Sequence, residues 1–91
     1  MRRIVRHAKY QAKRSALAKK YPEFLEHIER LEQLIAENPD WPISIFAAAY
    51  DCCWSHFIVE DESIPHMRVY HASDDEEVRM LAILPVEPSD V

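Results

Sequence analysis

The amino-acid sequence predicts a single α+β domain in which an N-terminal strand and a helical hairpin pack on an antiparallel sheet, in the order β-α-α-β-β-β. Three observations predict it. Residues 8–37 are dominated by strong helix formers, with apolar positions at helical spacing and one proline between two halves. Residues 52–84 hold three runs of β-branched, aromatic and alternating residues, separated by short acidic connections. Finally, 91 residues with 48% hydrophobic content suffice for one modest core and not for a second domain. The domain is expected to cover 1–86, with 87–91 as a flexible tail in the proline-containing end.

Each element has a local reason. Ile4 and Val5, β-branched and flanked by Arg3 and Arg6, suit a short entry strand over 2–7. Tyr10, Leu17 and Tyr21 recur at spacings of seven and four, which predicts a helix over 8–20. Pro22 is tolerated at a helix's first turn and not inside one, so it marks the joint of the hairpin. The second helix, 22–37, carries Phe24, Ile28, Leu31 and Ile35 on one stripe, with Leu25 and Leu34 widening it. Glu23, Glu26, Glu29 and Glu32 are expected to face water, and Asn38-Pro39 supplies a stop. The strands are expected at 52–60, 67–72 and 78–84. Between them, Asp61-Glu62-Ser63-Ile64-Pro65 and Ser73-Asp74-Asp75-Glu76-Glu77 are short enough for antiparallel pairing. Residues 41–50 stay undecided, since Ile43-Ser44-Ile45-Phe46 favours strand and Ala47-Ala48-Ala49 favours helix.

Composition excludes several functions. The chain has no glycine, so it has no phosphate-cradling loop of the dinucleotide-binding or P-loop type. The two cysteines, Cys52 and Cys53, are adjacent and cannot build a disulfide framework, and the longest apolar run, 45–50, is far short of a membrane span. The expectation is a cytoplasmic protein with no cofactor, no metal and no membrane partner. Asp51-Cys52-Cys53-Trp54-Ser55-His56 invites a metal or thiol reading, but a two-ligand cluster is too small for zinc, and buried apolar cysteines are the default.

The formal net charge of −5 hides a split. Residues 1–22 carry eight Lys/Arg and no Asp/Glu, while residues 23–91 carry three against sixteen. Arg2, Arg3, Arg6, Lys9, Lys13, Arg14, Lys19 and Lys20 therefore form a patch suited to nucleic-acid phosphate or an acidic protein partner, or else simply solvate a helix. Trp41, Ile43, Ile45, Phe46 and Tyr50 form an apolar cluster without amphipathic period, which predicts either a homodimer interface or an inward-packed segment.

Three stretches resemble the RelE/ParE-like toxins of bacterial toxin–antitoxin pairs. They are Arg3-Ile4-Val5-Arg6-His7 running into Lys13-Arg14 and Ala18-Lys19-Lys20-Tyr21-Pro22; Ile28-Glu29-Arg30-Leu31-Glu32 through Glu37-Asn38-Pro39; and Met67-Arg68-Val69-Tyr70 with Val78-Arg79-Met80-Leu81-Ala82-Ile83-Leu84. The resemblance spans most of 2–86. It implies a growth inhibitor, either a metal-independent, ribosome-dependent mRNA endoribonuclease or a poison of another target such as gyrase, with a cognate antitoxin as partner. It places Arg68, Tyr70 and Arg79 at the catalytic strand positions, and His66 lies on the same side. RNA cleavage of this kind needs proton-transfer groups and cations that stabilise the phosphorane, which His or Tyr and Arg supply. The alternative is a non-catalytic protein-interaction module or inhibitor of the same fold, of the kind a phage or other mobile element would encode. The acidic balance, the glycine-free hairpins and a tail without Tyr, Lys or His favour it.

Overall fold

The computed structural model describes residues 1–38, 44–47, 52–57 and 64–85. The chain runs β1 (Arg3–Arg6), α1 (Ala8–Lys20), α2 (Phe24–Glu37), β2 (Ser44–Ala47), β3 (Cys52–Phe57), β4 (Met67–Ser73) and β5 (Glu77–Pro85). The α+β class stands, with one strand more than the sequence resolves. That strand, β2, falls inside the undecided stretch and pairs antiparallel with β3, Ile45 opposite Trp54 and Phe46 opposite Cys53. Trp41, Ile43 and Tyr50 lie outside the described residues, and Ile45 and Phe46 are placed as backbone positions in β2. The 87–91 tail also lies outside them.

The five strands form one sheet in the order β1-β5-β4-β3-β2. β3, β4 and β5 pair antiparallel as expected, and β1 joins β5 in parallel, with Ile4 opposite Val78 and Arg6 opposite Met80, which makes the sheet mixed. Local pattern cannot specify that partner: the pairing spans more than seventy residues of sequence, and its direction follows from where the helical hairpin returns the chain. Two backbone bonds fix the start of the strand, Arg2 N–H to the Ala36 carbonyl at 3.1 Å and Arg3 N–H to the Glu76 carbonyl at 2.9 Å.

The hairpin turns where the sequence places it. Tyr21 takes the extended backbone (φ −123°, ψ 103°) that suits a residue preceding proline, and its N–H closes α1 on the Leu17 carbonyl. Both helices cover one face of the sheet. Tyr10 and Leu17 of α1 and Phe24, Ile28, Leu31 and Ile35 of α2 meet Met67 and Val69 of β4 and Val78, Met80 and Ile83 of β5. Full burial of a side chain the size of Ile or Phe contributes roughly 1.5–3 kcal/mol, so this cluster is the principal source of stability. Leu25 and Leu34 flank the stripe instead of widening it, and stay substantially exposed.

Strict alternation would put residues 78, 80 and 82 of β5 on the core side, yet Ile83 is buried and Ala82 is not. A register shift explains this. Tyr70 pairs with Ala82 while the next residue, His71, pairs with Met80, so Leu81 is an extra residue on β5 and the pleat resets. The bulge lets Met80 and Ile83, three apart, share the core face.

Candidate functional site

Alternation in β4 divides its side chains cleanly. Met67, Val69 and His71 are buried beneath the helices, and Arg68, Tyr70 and Ala72 are half-covered on the opposite face, where neither helix packs. Trp54 of β3 lies directly opposite Tyr70 in the ladder. The Arg68 guanidinium sits 4.4 Å from the centre of the Trp54 ring, a cation–π contact. Stacking of this kind fixes the plane of the guanidinium and leaves its edge to donate hydrogen bonds. Arg68 Nε is buried and, among the described residues, meets no hydrogen-bond acceptor.

Arg79 does not join this group. On β5 it stands opposite Ala72, and Nη1 bonds Asp74 Oδ2 and Glu77 Oε1, both at 3.2 Å. Hydrogen bonds to Glu77 and Asp74 push its pKa up. The reason lies in the β4–β5 connection, where Asp74 Oδ1 accepts from the backbone N–H groups of Glu76 and Glu77 at 2.8 and 2.9 Å. Those bonds, reinforced by Arg79, hold the Asp74 carboxyl below its usual range. His66 precedes β4, partly buried, and among the described residues no hydrogen bond or ion pair links it to Arg68, Tyr70 or Arg79. Of the four predicted catalytic residues, the fold places Arg68, Tyr70 and Arg79 on one face, and there the Arg79 guanidinium is taken up by the hairpin acids Asp74 and Glu77.

The basic patch is also reduced. Arg3 pairs with Glu77 at 2.7 Å, and Arg2 Nε donates to the Asp74 carbonyl at 2.7 Å. Arg6 and Arg14 turn inward. Both guanidiniums grip the carboxylate of Glu32, which is 1% exposed: Arg6 through Nε and Nη2 at 3.0 and 2.9 Å, Arg14 through the same atoms at 3.2 and 3.1 Å. Tyr10 Oη adds a fifth bond at 2.8 Å. The expectation that Glu32 faces water is thus overturned. Its position is eight residues from Phe24, which places it beside the apolar stripe of α2, while Tyr10 and Arg14, four apart, share the α1 face turned to it and Arg6 reaches it from the end of β1.

Burial alone would raise the Glu32 carboxyl, but the bonds from Arg6, Tyr10 and Arg14 outweigh it and hold the group below the ordinary carboxylate value. Burial, and then the neighbouring Glu32 charge, push the Tyr10 phenol up so that it stays a neutral donor. The arrangement clasps β1, α1 and α2 together with every carboxylate lone pair in use. Its signal in the sequence was the Arg6-Tyr10-Arg14 repeat, which reads equally well as surface. What remains of the patch is Lys9, Lys13, Lys19 and Lys20, all exposed on α1.

A second buried polar pair escaped the sequence. His71 faces the core from β4, and its Nε2 lies 3.3 Å from Ser55 Oγ of β3. Burial pulls its pKa down to about 4. Among the described residues no group of three or more His, Cys, Asp or Glu is placed to hold a metal ion. No helix among them is long and apolar enough to cross a membrane. Cys52 is buried and Cys53 partly so, both as thiols outside any disulfide. Set beside known protein families, characterised proteins and solved structures, the chain finds no match in any of the three comparisons.

Proposed function

We propose that the chain is a RelE/ParE-like toxin-fold protein of a toxin–antitoxin pair, a growth inhibitor that engages its target through the helix-free face of the sheet. The observation that carries this reading is the meeting of Arg68 and Tyr70, two of the strand positions the family resemblance singles out, with Trp54 on that face. Entry strand, helical hairpin and closing antiparallel strands in this order support it as well. In the ribonuclease form of the reading, Arg68 would hold the scissile phosphate through its fixed guanidinium edge, and Tyr70 would take part in proton transfer.

A specific observation favours the second reading, a non-catalytic interaction module. Arg79, needed as the additional cation, is held by Asp74 and Glu77. A face with one aromatic-stacked arginine and a tyrosine is better equipped to bind a macromolecule than to cleave RNA. Induced expression of the chain alone in bacteria tests both. Growth arrest relieved by Arg68→Ala, with mRNA cut at mapped positions, supports the nuclease form. Arrest without cleavage supports target binding, and unaffected growth removes the toxin reading.

A further inference from the structure

We infer that Asp74 and Glu77 form an autoinhibitory clamp, which withholds the Arg79 guanidinium from an RNA strand lying on the open sheet face; this rests on the ribonuclease form of the reading proposed for that face.

The face holds two arginines in different states. Arg68 stands opposite Leu84 and Arg79 opposite Ala72, with Tyr70 between them along β4 and opposite Ala82. Arg68 is stacked on Trp54, and among the described residues it enters no ion pair. Arg79 instead engages two carboxylates through Nη1, Asp74 Oδ2 and Glu77 Oε1, both at 3.2 Å. Ala72 is four residues from Arg68, about 13 Å at the usual strand rise. Two guanidiniums on long side chains at that spacing suit successive phosphates of one strand, with the Tyr70 ring between them for a base.

The acids are anchored without Arg79. Asp74 Oδ1 accepts the backbone N–H groups of Glu76 and Glu77 at 2.8 and 2.9 Å, which leaves Oδ2 for Arg79. Glu77 is fixed from the neighbouring strand, where Arg3 Nη2 meets Oε2 at 2.7 Å and leaves Oε1 for Arg79. Each carboxylate is thus divided between an anchor and the guanidinium. Both pairs with Arg79 are partly exposed, and ion pairs of that kind are weak and screened by salt. The clamp therefore opens when its charge is removed, and the freed guanidinium stays on the face because Arg79 is held in β5 opposite Ala72.

The test uses the full chain and a short fluorescein-labelled oligouridylate, titrated by fluorescence anisotropy at physiological salt. Asp74→Asn with Glu77→Gln removes both charges while asparagine keeps the Oδ1 acceptor of the turn, and binding should tighten about fivefold or more. Asp75→Asn with Glu76→Gln lowers the charge of the same tip equally, and among the described residues neither side chain bonds Arg79, so its gain should stay below about twofold. Adding Arg79→Gln to the clamp variant should return binding to within about twofold of wild type. Circular dichroism confirms that each variant is folded, and Asp74→Asn alone, which keeps the Arg3–Glu77 pair, should give part of the gain. No gain in the clamp variant, an equal gain in the Asp75 and Glu76 control, or a gain that survives Arg79→Gln would each overturn the inference. Failure of the wild-type chain to arrest growth overturns the toxin reading instead and leaves these binding ratios as they are.

Discussion

Arg14 of the first helix and Glu32 of the second meet in a two-point ion pair of 3.1 and 3.2 Å, with the arginine side chain 10% exposed and the glutamate 1%. A bidentate pair so deeply buried depends on complete satisfaction of its remaining atoms, because two charges have left water. Here Arg6 and Tyr10 supply that completion, and α1 cannot shift against α2 without breaking it.

Removing the shared acceptor is therefore the most damaging polar change. Glu32→Ala leaves two guanidiniums and a phenol without a partner, and should lower the unfolding free energy by roughly 3–5 kcal/mol, the range for breaking a buried pair. Arg6→Ala should cost distinctly less, since its side chain is 34% exposed and Arg14 and Tyr10 still hold the carboxylate. Urea denaturation of the two variants checks the ranking. Equal losses would mean that the clasp is not centred on Glu32.

Acid should weaken the fold in two stages. His71 has its folded pKa depressed to about 4 against an ordinary value near 6.5, so the unfolded chain takes up a proton first as pH falls between them. Stability is full above about 6.5 and declines toward 4. Glu32, also depressed, contributes stability above its unfolded pKa and loses it as pH falls through its lower folded value. His71→Gln should abolish the first stage and spare the second, as thermal melts from pH 7.5 to 4 would reveal.

Arg68 and Arg79 should respond differently. Arg68→Ala removes a cation–π contact of about 0.5–2 kcal/mol together with a buried donor that meets no acceptor among the described residues, so the net loss of stability should stay near or below 1 kcal/mol. On the proposed toxin reading, its effect on growth should be large. Arg79→Ala removes only partly exposed ion pairs to the hairpin acids and should leave the melting temperature nearly unchanged and, on that reading, any growth arrest intact. Relief of growth arrest by Arg79→Ala with an intact fold would show that Arg79 acts from the face it shares with Arg68.

The bulge offers a test of the fold itself. Deleting Leu81 would return β5 to strict alternation with Met80 and Ile83 two apart, so both stay on the core face and every pairing with β4 is kept. Such a variant should stay folded and lose far less than Ile83→Ala, which truncates a buried isoleucine and should cost roughly 2–5 kcal/mol. Guanidinium midpoints separate the two, and a loss on deletion as large as that of Ile83→Ala would mean that the extra residue itself holds this part of the core together.

What the sequence determined by itself was local and periodic. Spacing of Phe24, Ile28, Leu31 and Ile35 dictated the second helix, Pro22 its joint with the first, and alternation in 67–72 the burial of Met67 and Val69 against the exposure of Arg68 and Tyr70. Tertiary structure decided everything that depends on partners far apart in the chain. It set β1 parallel to β5, made a strand of Ser44–Ala47, turned Arg6 and Arg14 inward and bound Arg79 to the hairpin acids. The physical reason is the same in each case. Periodicity reports which side of an element is apolar, whereas a charged residue at the margin of that side is buried or solvated according to whether an opposite charge arrives there. Glu32 stands at such a margin, and only the approach of Arg6 from β1 and of Tyr10 and Arg14 from α1 makes its burial favourable.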